Sequence, residues 1–128
     1  MQRDMDLVRK ILFYIEDNYQ AGQNWIREIE IDNYSKEVIV EHLKLIYEAD
    51  LVQDFKITNY VDGGFRYQVG NLSNQGYDFL DKIRQDAIWN KTKSIIKENG
   101  LPLMISVIKE VSSTVISGIV AGAIKGIQ

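Results

Sequence analysis

The sequence predicts an α+β fold, and three observations predict it. Apolar residues recur at helical spacing over residues 3–19, 35–49 and 73–99. Two short runs rich in aliphatic and aromatic residues, Leu51 to Ile57 and Phe65 to Leu72, flank Asp62-Gly63-Gly64, a strong hairpin turn signal. Beyond Asn99 the pattern is helical again, with no charge from Val111 to Ile124.

The elements follow in order. Met5, Val8, Ile11, Leu12, Ile15 and Tyr19 form the stripe of a first helix. Asp4 and Asp6 stand in its first turn, where carboxylates favour the positive helix end. Ala21-Gly22 stops it. Trp25 to Ile31 alternates apolar and charged residues, which predicts a short strand. Ser35 can cap the next helix. Steps of 100° place Val38, Ile39, His42, Leu43, Leu45, Ile46 and Ala49 on its core-facing arc. Lys36, Glu37, Val40, Glu41, Lys44, Tyr47 and Glu48 fall on the outer arc. After the hairpin, Ser73 caps a helix carrying Tyr77, Phe79, Leu80 and Ile83, which continues, bent or straight, through Trp89, Ile95 and Ile96. Asn99-Gly100 ends it as a left-handed cap. Pro102 suits the first turn of a last helix running to about Gly126.

Composition narrows the chemistry. The 128 residues suffice for one domain with an appended helix. There is no cysteine, which excludes disulfides, thiolate metal sites and a cysteine nucleophile. A single histidine, His42, excludes a His-rich metal centre or a two-histidine relay within one chain. MQRDMDLVRK has charges where the apolar core of a signal peptide would stand, so a cytoplasmic protein is expected. The net charge is −3. Residues 1–70 hold eight Lys/Arg against thirteen Asp/Glu, a balance of −5, whereas residues 71–128 hold seven against five, or +2. An acidic first half opposes affinity for phosphate.

Three blocks carry a resemblance: RDMDLVRKIL at 3–12, YSKEVIVEHLKLIYEADLV at 34–52, and LSNQGYDFLDKIRQDAIWNKTK at 72–93. They resemble a family of small bacterial and prophage-encoded proteins of unknown function, met in phage and prophage genomes of Gram-positive bacteria. HLKLIYEADLV and LSNQGYDFL also resemble winged-helix regulators more widely. The resemblance implies a winged-helix-like domain, with residues 35–49 as recognition helix and the hairpin as wing, inside a bacterial host. Two departures stand out. Asp50 occupies the position of the family glycine in E-A-G-L, and Asp tolerates the left-handed conformation needed there. Between Ile31 and Ser35 there is almost no room for the usual preceding helix, so the helix-turn-helix is expected to be degenerate.

Candidate binding residues follow from that frame. Lys36 and Lys44 on the helix and Arg66 on the wing could reach DNA. Glu37, Glu41 and Glu48 share the outer face with the two lysines and bring it to −1, so solvated surface charge is the favoured reading. Val40 and Tyr47, at i and i+7, suit contact with a protein better than with DNA. The macromolecule-binding candidates are therefore Lys36, Val40, Lys44, Tyr47 and Arg66. His42 sits at the edge of the core arc and is assigned a structural role. Asp78, Asp81, Arg84 and Asp86 have the spacing of surface ion pairs rather than of a metal cluster. Gly63-Gly64 lacks the Lys-Ser/Thr of a phosphate loop. No enzyme signature is present, and neither a cofactor nor a metal is expected.

The last helix is the least expected stretch. Met104, Val107, Ile108, Val111, Val115 and Ile119 line one face, with Gly118, Gly122 and Gly126 at four-residue spacing beside them. Glycines in register allow a second helix to approach closely. The uncharged run is shorter than the roughly 20 residues that span a bilayer. A membrane-surface helix usually carries a cationic face, and only Lys109 and Lys125 are at hand. Packing within the fold or in an oligomer ranks first and membrane contact a distant second. The expectation is a winged-helix-like domain at residues 1–99 and an apolar helix at 101–128, which makes a homodimer through Val111, Val115, Gly118, Ile119 and Gly122. The expected function is a non-enzymatic, phage- or prophage-associated accessory protein that binds a protein partner. The alternatives are a DNA-binding transcriptional regulator and, more weakly, a membrane-active small protein.

Overall fold

A computed structural model describes residues 1–127, the side chain of Ile127 excepted. Gln128, the last residue of the expected C-terminal segment, lies outside the described residues. The fold is α+β. Its elements are α1 (Met5–Asn18), α2 (Lys36–Glu48), β1 (Phe55–Asn59), β2 (Phe65–Val69), α3 (Asn74–Ile83), α4 (Asp86–Glu98) and α5 (Ile105–Ile127). The chain divides into two compact units, residues 1–78 and 79–128, with α3 running across the division. The boundary expected at Asn99 to Leu101 falls at the connection between α4 and α5, inside the second unit.

In the first unit α1 packs on α2, and α2 on β1. Met5, Leu7, Val8, Ile11, Leu12 and Ile15 of α1 are buried, as are Ile39, Leu43 and Ile46 of α2. Burying each such side chain contributes roughly 1.5–3 kcal/mol. Asp4 caps α1, its side chain accepting from the Leu7 amide at 3.0 Å, and Ser35 caps α2 through the Val38 amide at 3.3 Å. The two strands pair antiparallel from Phe55↔Val69 to Asn59↔Phe65. A separate bridge, Val52↔Leu72, carries the pairing towards the ends expected from the sequence.

The strand expected at Trp25 to Ile31 contracts to one antiparallel bridge, Ile26↔Val69. Three residues on, the Ile29 amide donates to the Tyr67 hydroxyl at 2.7 Å, which occupies a donor that a ladder would need. The segment thus leaves β2 after one pair.

Asp50 adopts the left-handed conformation, at φ 62°. The Leu51 amide donates to Ile46 O at 3.1 Å and the Asp50 amide to Tyr47 O at 2.9 Å, the two bonds of a Schellman cap. A left-handed turn therefore closes α2 without glycine. Such a residue costs about 1–2 kcal/mol relative to glycine, less for Asp than for bulkier side chains. Asp50→Gly is expected to stabilise the protein by about 0.5–1 kcal/mol in urea unfolding. A loss of stability would show that the Asp50 side chain contributes something the cap geometry does not.

The helix expected from Ser73 to Asn99 is broken into α3 and α4 at Arg84-Gln85. Gly100, at φ 64°, ends α4 with the same cap pattern, through Gly100 to Lys97 O and Leu101 to Ile96 O. Pro102 does not open α5. The helix begins at Ile105, with its first carbonyl acceptor on Met104, so Pro102 lies in the connection. The Leu101 amide is spent on closing α4, and the residue before a proline disfavours helix, so α5 starts later. α4 and α5 pack against each other, with Trp89, Thr92, Ile96, Ile108 and Ser112 buried.

Candidate macromolecule-binding face

The face expected from the sequence is built by the outer side of α2 and the β1–β2 hairpin. The structure brings Lys36 and Arg66 to it. The Lys36 ammonium donates to Phe65 O at 2.6 Å and lies 4.3 Å from the Phe65 ring centroid. The Arg66 guanidinium lies 5.6 Å from the centroid of Tyr60 at the hairpin tip. Lys44 pairs with Glu41 at 2.8 Å, one helical turn away. Each of the three cations thus has a partner within the first unit, and for exposed pairs such contacts are worth under about 1 kcal/mol.

Tyr47 is exposed, and its ring lies 6.2 Å from Phe55, tilted by 55°. Tyr60 and Val61 are exposed at the hairpin tip, where the Tyr60 amide donates to Gly64 O at 2.7 Å and Gly63 takes a φ of 93°. Val40 is not on this surface. It is 3% exposed and belongs to the core. Steps of 100° place it 100° from Ile39, a buried neighbour, so the core arc of α2 is wider than a binary division of the helix allows.

Beside this face lies a groove of about 410 Å³ that periodicity did not indicate. It opens where residues 27–32 leave β2. Glu28, Glu30 and Asp32 line it with Arg27, Lys36 and Arg66, and Ile29 and Tyr67 take part in its lining. The alternation at Trp25 to Ile31 predicted a short strand there and gave no sign of a groove. Burial of Tyr67 raises its hydroxyl pKa above the usual value of about 10, and the bond from the Ile29 amide acts in the opposite direction.

His42 lies behind the face, 1% exposed. Its Nε2 accepts from the Asp4 amide at 2.9 Å, and its Nδ1 lies 2.8 Å from Val38 O. An amide only donates and a carbonyl only accepts, so the proton is assigned to Nδ1. The Asp4 carboxylate also accepts from the Tyr34 hydroxyl at 2.8 Å. That hydrogen bond is the main cause raising the Tyr34 pKa, followed by desolvation and the Asp4 charge. His42, Asp4 and Tyr34 thereby tie the start of α1 to α2.

In the second unit Asp81 and Arg84 form an exposed pair at 2.8 Å. Among the described residues no group of three or more His, Asp or Glu is gathered as a metal ion would need. Of the oligomerisation candidates, Val111 and Val115 are half-buried, while Gly118, Ile119 and Gly122 are exposed. Val115, Gly118 and Ile119 line a mostly apolar groove with Ala87, Ile88 and Ile95 of α4. A methyl group added at Gly118, Gly122 or Gly126 would meet nothing within 4 Å, so no close approach within the described chain depends on these glycines.

The glycine that does permit close approach is Gly76, in the first turn of α3. A Cβ there would stand 1.9 Å from the Leu51 carbonyl oxygen. The helix signal around Leu72 to Phe79 gave it no special place. Its only trace in the sequence is a residue of poor helix propensity where Ser73 has already capped the helix.

A family model described as Hypothetical protein (DUF2513) matches residues 2–102. A protein of Haemophilus influenzae, described as an uncharacterized protein, is 31% identical over 121 residues, covering 94% of this chain and 100% of that relative. No solved structure matches the chain.

Proposed function

The chain belongs to the DUF2513 family, and we propose that it is a non-enzymatic accessory protein of phage or prophage origin that binds a protein partner in the bacterial cytoplasm. The scaffold is read as winged-helix-like. The order α1, bridged Ile26, α2, hairpin supports this, as does the bridge from Ile26 to Val69 in the second hairpin strand. The space for a separate helix before α2 is absent here, which fits a degenerate helix-turn-helix.

One observation carries the choice of partner. The cations that would meet phosphates are held by Phe65, Tyr60 and Glu41, while Tyr47 stands exposed on α2 and Tyr60 and Val61 at the hairpin tip. Glu37, Glu41 and Glu48 oppose a phosphate backbone on α2. Exposed aromatic and aliphatic side chains on a nearly neutral face suit a protein interface.

Tagged full-length protein captured from host lysate, with and without nuclease, tests this reading. The expected result is a partner that survives nuclease, rebinds after purification, and is lost with Tyr47→Ala plus Val61→Ser. Each substituted side chain is exposed, so the fold should be kept, and a central aromatic typically costs about 2 kcal/mol or more of binding. A sub-micromolar, competitor-resistant duplex complex abolished by Lys36→Glu or Lys44→Glu would overturn the reading in favour of a DNA-binding regulator.

A further inference from the structure

β2 has two edges, and only one of them is closed. On one side it pairs with β1 from end to end. On the other it meets Ile26 alone: the Ile26 amide donates to Val69 O at 2.7 Å and the Val69 amide to Ile26 O at 2.9 Å. Main-chain groups turn to alternate sides along a strand, so Val69, Tyr67 and Phe65 all direct theirs away from β1. Phe65 O accordingly takes the Lys36 ammonium, at 2.6 Å. Among the described residues, no hydrogen bond reaches the Tyr67 amide, the Tyr67 carbonyl or the Phe65 amide. Tyr67 is 3% exposed, and main-chain groups so nearly buried are rarely left without a partner.

Tyr67 takes part in lining the groove of about 410 Å³ between β2 and residues 27–32. The bond from the Ile29 amide to the Tyr67 hydroxyl holds the far wall of this groove off the strand edge. That wall carries charge. Glu28, Glu30 and Asp32 stand exposed at alternate positions, and none forms an ion pair among the described residues. With Arg27, residues 27–32 hold three carboxylates against one cation, a balance of −2. Lys36 and Arg66, the other cations of the lining, are held by Phe65 and Tyr60.

We propose that this edge takes up an extended, basic segment of a partner protein. The segment adds as a strand beside Phe65 and Tyr67 and lays Lys or Arg side chains over Glu28, Glu30 and Asp32. The inference rests on the reading of the chain as a protein-binding scaffold and gives the partner its chemistry. The occupant follows from what the edge lacks. A donor at Phe65, then a donor and an acceptor at Tyr67, match the main chain of an added strand. A helix has spent its own main-chain groups and would leave all three unmet. Nucleic acid would bring phosphates against the carboxylates. Charge then selects a basic strand among extended ones.

The probe is an alternating Lys-Val hexapeptide, set against its Glu-Val counterpart and an N-methylated Lys-Val peptide. Each is titrated into the full chain, with binding read by fluorescence anisotropy and the Tyr67 amide followed by hydrogen exchange. The Lys-Val peptide is expected to bind and to slow exchange at Tyr67 at least about tenfold, and the other two to bind at least about tenfold more weakly. Glu28→Gln with Glu30→Gln, both at exposed positions, should weaken binding about fivefold or more. Equal binding of the N-methylated or the Glu-Val peptide would overturn the proposal. So would unchanged exchange at Tyr67 under saturation, or no binding of the Lys-Val peptide at about 1 mM. A chain that is dimeric in light scattering, with Tyr67 already protected, would give the edge to a second copy instead. Capture of the lysate partner, and its loss with Tyr47→Ala plus Val61→Ser, is read separately, so the edge can fail while the protein-partner reading stands.

Discussion

Gly76→Ala is expected to destabilise the protein by about 3 kcal/mol or more, although alanine is the better helix former. Two effects of opposite sign meet at this residue. Helix propensity alone would make the substitution favourable by up to about 1 kcal/mol. Against it stands the Leu51 carbonyl oxygen, 1.9 Å from where the new Cβ would be, with the Leu51 carbonyl carbon at 2.9 Å. These are backbone atoms and cannot turn aside as a side chain would. Leu51 is also fixed from several directions. Its amide closes the cap of α2 on Ile46, its carbonyl accepts from the Ser73 amide at 3.0 Å, and its side chain is fully buried. The Ser73 hydroxyl adds a bond to Asp50 O and accepts from the Gly76 amide. Relieving the clash must therefore part α3 from the turn after α2. Urea unfolding of Gly76→Ala beside Gln75→Ala, an exposed neighbour in the same helical turn, separates the two effects. Gln75→Ala should change stability by less than about 0.5 kcal/mol. A Gly76→Ala chain as stable as the parent would show that the close approach does not exist.

The second large effect is expected at His42. His42→Ala removes a buried ring and leaves the Asp4 amide without its acceptor. The cavity and the unmet donor together should cost about 3 kcal/mol. The Asp4–Tyr34 bond is expected to weaken with them, because the same residue anchors both contacts. Where the variant is folded, partner binding should persist, since the ring lies behind the outer face rather than on it. A shift of the urea midpoint with unchanged affinity is the expected pair of results. Unchanged stability with complete loss of binding would make His42 a recognition residue instead.

The two effects differ in how far the sequence announced them. His42 could be placed in the core by counting residues along one helix, because a helix repeats its geometry and i, i+4 neighbours share a face. The same counting located α1, α2, the hairpin and the caps at Ser35, Ser73 and Gly100. These are local features, set by contacts within a few residues along the chain. Of the two partners of His42, Val38 O lies one turn away on the same helix, but the Asp4 amide was out of reach, 38 residues away.

What the sequence determined by itself is thus the α+β class, the order of the helices and the hairpin, and the nearly neutral charge of the outer face of α2. The tertiary structure decided the rest. It buried Val40, because a packed helix is covered over a wider arc than a two-sided wheel assigns. It reduced the expected first strand to Ile26, because the Tyr67 hydroxyl took the Ile29 amide. It singled out Gly76 rather than Gly118 and Gly122 as the glycine of close approach, because there the Leu51 backbone comes within 1.9 Å of a Cβ, whereas nothing lies within 4 Å at the other two. It also exposed the end of α5, because α4 is ten residues shorter, and the length of a packing neighbour is written nowhere in the apolar pattern of the helix it covers.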